Sequence, residues 1–382
     1  MAMAGWSSLP WDLINNVADR FLDTEDLDYY MDFRAVCQSW RSATADPKNS
    51  PHDPRFQPRQ WFTLDEVHQD DARLFVNAAT GRFVRKDLPL LRRYFLIGGA
   101  FVGLLVVAEE SAPHAVRLLN PFTGSITRFV APVPCESTFV AHVVGYAPPT
   151  LVLVGVLFGT IYWATPDSEC FITEQGYKYT SYMVRQAVIG GIYAAAREHG
   201  KVPSLVAPEA NKILGLFAKN FPEYFSGTND EQVENRCFLV ESEGETLVIF
   251  KPTQPRVIDV FKMDAGSNTL EPVKSIGSRA LFVGDYRCLS VDADKFAFLE
   301  ANCIYFVKMD MDDCIYYKVR AYSLTDDETE LPAGTGRAIC PSTYFTLYDS
   351  RPISVVQLLA CYTLYVKPAR TLCLAGGDYY FF

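Results

Sequence analysis

Residues 115–130, AVRLLNPFTGSITRFV, read as strand, turn and strand. Ala115 to Asn120 carries Val and Leu, Pro121-Phe122-Thr123-Gly124 supplies turn chemistry, and Ser125 to Val130 resumes with Ile and Phe. β-branched and aromatic runs broken by Gly, Pro, Asn and Asp are hairpin signals. The same grammar is read at three further places. Ile192 to Ala196 and Val202 to Ala207 flank Arg197-Glu198-His199-Gly200. Phe238 to Val240 and Thr246 to Phe250 flank Glu241-Ser242-Glu243-Gly244, and Val257 to Met263 resumes after 264–268 up to Val273. An Ile-Tyr pair recurs unevenly at 161–162, 192–193, 304–305 and 315–316. Repeated antiparallel hairpins over so long a stretch suit a β-propeller better than a sandwich. At roughly 40–50 residues per blade, the expected fold from residue 48 onward is an all-β propeller of about six or seven blades.

Composition removes several alternatives. The 382 residues are 49% hydrophobic and carry 45 acids against 35 bases, a formal charge of −10. Such a chain has apolar surface enough for a sizeable core, which excludes wholesale disorder. Its acidic balance argues against a nucleic-acid partner, whose phosphates call for Lys and Arg. Two uncharged runs, Phe95 to Ala108 and Leu151 to Ala164, span 14 residues each. A membrane-crossing helix needs about 20 apolar residues. Both runs contain Gly and are rich in Val, so they are expected as buried strands, and no membrane partner is expected. The opening MAMAGWSSLPWDL lacks the basic and apolar regions of a signal peptide.

Catalytic and metal patterns are also missing. The ten cysteines form no Cys-x-x-Cys pair, and His52, His68, His114, His142 and His199 lie far apart. Gly334-Thr335-Gly336 falls short of a dinucleotide fingerprint, and the acids of 310–313 lack the glycine of a calcium loop. No catalytic residue, metal or cofactor is expected.

The first fifty residues follow a different period. Leu13, Ile14, Val17 and Phe21 recur at steps of three and four, the stripe of an amphipathic helix. Pro10 suits its first turn, Thr24 reads as the N-cap of a second helix, and Phe33, Val36, Cys37 and Trp40 mark another. Between Asp12 and Asp32 stand seven acids and one base. Helices this short need a partner to bury their apolar faces.

The string Leu9-Pro10-x-Asp12-Leu13-Ile14-x-x-Val17, then Phe21-Leu22, then Phe33-Arg34-Ala35-Val36-Cys37-x-x-Trp40-Arg41 resembles an F-box. The resemblance implies a small all-α module over 5–47 that docks on a Skp adaptor and, through it, a cullin–RING ubiquitin ligase of the SCF type. The docking or helix-packing positions it implies are Leu9, Pro10, Leu13, Ile14, Val17, Leu22, Val36, Cys37 and Trp40. The middle of the module, Asp26 to Asp32, is more acidic and aromatic than the Leu-rich helix of the family.

The body resembles a plant family as well. Its phrases are His52-Asp53-Pro54-Arg55, Leu118 to Gly124, Phe238 to Ser242, Ala280 to Gly284 and Asn302 to Phe306. All five occur in the order of the KIB-like family, the domain of unknown function 295, which looks propeller-like and often follows an F-box. The combined expectation is a non-catalytic substrate adaptor, cytoplasmic and/or nuclear, whose domain over 48–382 binds an unknown target protein. Two rivals stand beside it: a scaffold with a vestigial F-box, and a hydrolase with a site at the propeller centre.

Overall fold

A computed structural model describes residues 5–51, 53–64, 71–100, 103–134, 139–145, 147–155, 160–174, 182–197, 203–222, 236–252, 257–264, 269–284, 287–310, 316–325, 330–332 and 354–363. The Gly334-Thr335-Gly336 stretch, residues 311–313 and three of the five histidines (52, 68 and 199) lie outside these residues.

Three helices open the chain: α1 (Trp11–Asp23), α2 (Leu27–Ala35) and α3 (Gln38–Ala43). Pro10 stands one residue ahead of α1, not inside its first turn. Thr24 closes α1, and the cap of α2 is instead Asp26, whose carboxylate accepts the Tyr29 N–H at 3.1 Å. The apolar series from Phe33 to Trp40 is broken at Cys37. There the backbone is extended and the Sγ accepts the Trp40 N–H at 3.5 Å, starting α3.

Five antiparallel-based sheets follow among the described residues. Blade 1 holds β1 (Trp61–Leu64), β2 (Ala72–Asn77) and β3 (Phe83–Asp87). Blade 2 holds β4 (Tyr94–Gly99), β5 (Leu105–Glu109), β6 (Ala115–Leu119) and β7 (Ile126–Pro132). Blade 3 holds β8 (Phe139–Val144), β9 (Thr150–Gly155), β10 (Ile161–Ala164) and β11 (Ile172–Glu174). Two helices intervene, α4 (Tyr182–Arg197) and α5 (Pro203–Asn220). Blade 4 holds β12 (Arg236–Ser242), β13 (Glu245–Lys251), β14 (Asp259–Asp264) and β15 (Thr269–Pro272). Blade 5 holds β16 (Arg279–Val283), β17 (Leu289–Asp292), β18 (Cys303–Asp310), β19 (Tyr316–Ser323) and β20 (Glu330–Pro332), with β16 and β18 parallel. A last helix, α6, spans Val355–Thr363.

The hairpins expected at 115–130, 238–250 and 257–273 are β6–β7, β12–β13 and β14–β15. The two long apolar runs are β4–β5 and β9–β10. Two expectations are overturned. Among the described residues the body holds five blades, not six or seven, and it is not all-β. The stretch around Ile192 belongs to α4, and the second expected strand falls within α5 from Pro203 onward, Val202 lying outside the described residues. Its Ile, Val and Tyr residues look strand-like, but their spacing is helical and each face has its own neighbour. Val188, Ile192 and Ala210 pack on Val144, Val152 and Ile161 of blade 3. Ile189, Tyr193, Ile213 and Phe217 pack on Leu239, Val248 and Phe250 of blade 4. A helical pair thus stands where another blade would stand.

Shared apolar clusters link each neighbour to the next. Blades 2 and 3 meet through Val106, Phe129 and Leu153, and blades 4 and 5 through Val240, Leu281 and Ile304. Blade 5 meets blade 1 across α6, where the Tyr362 ring lies edge-on to Phe62 at 5.4 Å. Blades 1 and 2 share Trp61, Phe75, Leu105 and Leu119 with Ile14, Leu22, Leu27 and Tyr30 of the opening helices. No helix among the described residues is long and apolar enough to cross a membrane.

One turn ties blade 1 to blade 5 at close quarters. Gly81 has φ +72°, and a Cβ there would meet the Lys295 carbonyl oxygen at 2.0 Å. Gly124 has a similar φ of +69° but open space around it. Gly81→Ala should therefore cost about 2 kcal/mol or more in denaturant unfolding, from backbone strain plus a backbone clash. Gly124→Ala should cost only about 1 kcal/mol, the left-handed backbone penalty alone. Equal costs would show that the turn can shift away from Lys295.

Candidate functional site

Exposed large apolar side chains are concentrated in the opening helices. Nine stand out among the described residues, and Trp6, Trp11, Leu13, Val17, Tyr29 and Val36 are six of them. Burying such side chains is favourable by roughly 1.5–3 kcal/mol each, so their concentration in one small module makes it the candidate binding surface.

The nine positions of the F-box pattern divide between two environments. Ile14 and Leu22 are buried and join the core shared with blades 1 and 2. Leu13 and Val17, one turn apart on α1, face outward at 46% and 42% exposure. Val36, at the end of α2, is 61% exposed. Pro10 is exposed, and Leu9 packs partly against the core. Cys37 acts as the cap of α3. Trp40 works inside the module: its ring stacks on Phe33 at 4.4 Å and its Nε1–H donates to the Trp6 carbonyl at 3.1 Å. The pattern did not include Trp6 and Trp11, which are 78% and 66% exposed. The signal that could have found them is their type and place, two Trp residues beside the Leu9-Pro10 start.

Charged residues set how this surface is held. Arg34 is buried; its Nη1 donates to the Thr44 carbonyl at 2.7 Å and its Nη2 pairs with Asp46 at 3.0 Å. The Tyr30 hydroxyl donates to the Ala45 carbonyl at 2.7 Å, and burial raises its pKa, so it stays a donor. Asp26 and Asp28 are buried and turned toward blade 1. Arg82 reaches both, at 3.0 Å and 2.6 Å, and Lys86 reaches Asp28 at 2.5 Å. The acidic middle of the module therefore faces the propeller in part. Asp12, Asp19, Asp23 and Asp32 remain exposed around the apolar side chains.

A second group of polar side chains is buried away from this surface. The His142 ring of β8 is 6.5 Å from the Tyr193 ring of α4, and Arg287 stands over the Tyr362 ring at 5.3 Å. Burial, aided by the positive charge of Arg287, lowers the His142 pKa to about 4. The nearby Cys237 thiol is pushed well above its ordinary pKa by burial and by Cys288. A nucleophilic thiolate requires a shift the other way. Among the described residues no three His, Cys, Asp or Glu side chains come together to hold a metal ion.

Comparison with known proteins agrees with this architecture. The profile of the KIB1-4 beta-propeller family matches residues 75–326. The chain is 23% identical to the F-box protein At2g26160 of Arabidopsis thaliana over 327 residues, 79% of this chain and 95% of that protein. It is 31% identical to the F-box protein SKIP23 of the same plant over 123 residues, 31% of this chain and 27% of that one.

Two outcomes follow from the site geometry. Ile14→Ala should destabilise the chain by about 2–5 kcal/mol, as for a large side chain removed from a core. Leu13→Ala and Val17→Ala should stay within about 0.5–1 kcal/mol in the same unfolding measurement. His142 binds its proton more readily when unfolded, at a pKa near 6.5, than when folded, near 4. The stability that neutral His142 preserves is present above about pH 6.5. It is lost as pH falls toward 4, by up to about 3 kcal/mol. His142→Gln should flatten that part of the stability–pH curve, and an unchanged curve would refute the assignment.

Proposed function

The chain belongs to the KIB1-4 beta-propeller family, and from that premise we propose that it is the substrate-recognition subunit of an SCF-type cullin–RING ubiquitin ligase. Residues 5–47 serve as the F-box that engages a Skp adaptor, and residues 48–382 bind a target protein. The observation that carries this reading is the concentration of exposed apolar side chains on α1, α2 and the turn before them. Leu13, Val17 and Val36 fall at positions of the F-box pattern and are free to enter a partner's groove. Helix-in-groove recognition uses apolar anchors at such spacing, with Trp among the strongest. The relatives' names, both F-box proteins, support the same assignment.

The chemistry belongs to other subunits. By holding a target near a charged conjugating enzyme, the chain raises the effective concentration of the target lysine. A cytoplasmic or nuclear place of action goes with this role. The Cys237 thiol, buried between α4, α5 and blade 4, is held protonated by burial, which disfavours it as a nucleophile in the rival hydrolase reading.

The test is capture of a purified plant Skp adaptor by the full chain. Wild type should bind it. Leu13→Gln, Val17→Gln and Val36→Gln together should weaken binding by roughly a hundredfold or more, at about 1 kcal/mol or more per anchor, with the melting temperature nearly unchanged. A folded wild-type chain that captures no Skp homologue would overturn the proposal.

A further inference from the structure

Apolar packing between the opening helices and blades 1 and 2 is not directional, so by itself it leaves their relative angle soft. One guanidinium supplies direction. Arg82 Nη1 donates to Asp26 at 3.0 Å and 3.2 Å, and Nη2 donates to Asp28 at 2.6 Å. Its Cζ also lies 3.7 Å from the Tyr29 ring centroid. All three partners sit at the start of α2, whose first turn Asp26 itself caps. Arg82 emerges from a stiff turn. Asn77 Oδ1 accepts the N–H groups of Ala79 and Thr80, and Gly81 abuts the Lys295 backbone.

We propose that Arg82 is a positioning residue that fixes the orientation of the adaptor-binding helices on the propeller. A rotation of α2 against blade 1 would break both arms of its fork and leave two buried carboxylates undercompensated. Lysine keeps the charge but not the planar fork, so it cannot hold Asp26, Asp28 and Tyr29 together. The geometry stands by itself, and only its functional sense rests on the adaptor reading above. A fixed angle sets where a bound target sits relative to the ligase.

The measurement is a distance distribution between two spin labels on the full chain, without adaptor. The labels are carried by unnatural amino acids at the exposed positions Asp19 and Glu169. Wild type should give one narrow distance. Arg82→Gln should broaden it or add a second population, and Arg82→Lys should fall between. An Arg82→Gln chain with the wild-type distribution and only a lower melting temperature would overturn the proposal, because that is the mark of a stabilising residue. If Arg82→Gln does not fold, Asp26→Asn makes the test by weakening the Nη1 arm of the fork, since asparagine still caps α2 and the Lys86 pair of Asp28 is kept. Failure to capture a Skp adaptor would leave this result unaffected.

Discussion

Two carboxylates, Asp26 and Asp28, are carried into the seam between a helix and a sheet, and their compensation constrains the amino-terminal half of the molecule. An uncompensated carboxylate there would be costly; breaking a buried pair typically costs about 3–5 kcal/mol. Arg82 and Lys86 supply the countercharge from blade 1. For Arg82, burial pulls the pKa down, but Asp26 and Asp28 outweigh it and leave the guanidinium more firmly protonated than usual. The same pairs explain an oddity of the sequence. Seven acids against one base between Asp12 and Asp32 give the opening helices a strongly negative sequence, yet two of them, Asp26 and Asp28, point inward and are neutralised within the chain.

Helical periodicity found the right residues in the opening segment but could not assign their neighbours. Leu13 and Ile14 are adjacent in sequence and equally apolar, yet one faces solvent and the other is 1% exposed. The difference arises because the core of α1 is made with Phe56, Trp61 and Phe75, side chains more than thirty residues away. Likewise the Val-Cys-x-x-Trp run marks a helix start, with Cys37 as cap and Trp40 as internal brace. Neither role is visible without the extended backbone at Cys37 and the stacked ring of Phe33. Arg82 left no mark in the pattern at all, because its partners lie more than fifty residues earlier.

In the body, legibility depended on whether a segment's composition and its period agreed. Residues 115–130 and 238–250 are strand-like by both, and both form hairpins. The α4–α5 pair has strand-like composition, with Val188, Ile189, Ile192 and Tyr193, on a helical period. Composition misled because the pair is apolar on two sides, as its position between two sheets requires. A surface helix would have shown one polar face across α4 as plainly as α5 shows at Asn211, Lys212 and Lys219.

That helical pair also bears on why the expected blade number was too high. A ring of sheets needs each face covered by a neighbour, and the covering element need not be a sheet. Blades 3 and 4 are bridged by α4 and α5, and blades 5 and 1 by α6, while the five sheets share no strand among the described residues. Hydrophobic packing is indifferent to whether its surface comes from a pleat or a helix, provided volume and pattern match. Dividing length by a blade repeat assumes that every segment is β, and here more than thirty residues of α4 and α5 do the work of an interface. The ring is then a chain of apolar seams, and the opening helices complete one of them. The segment that reads as an independent docking module is, physically, part of the wall between blades 1 and 2.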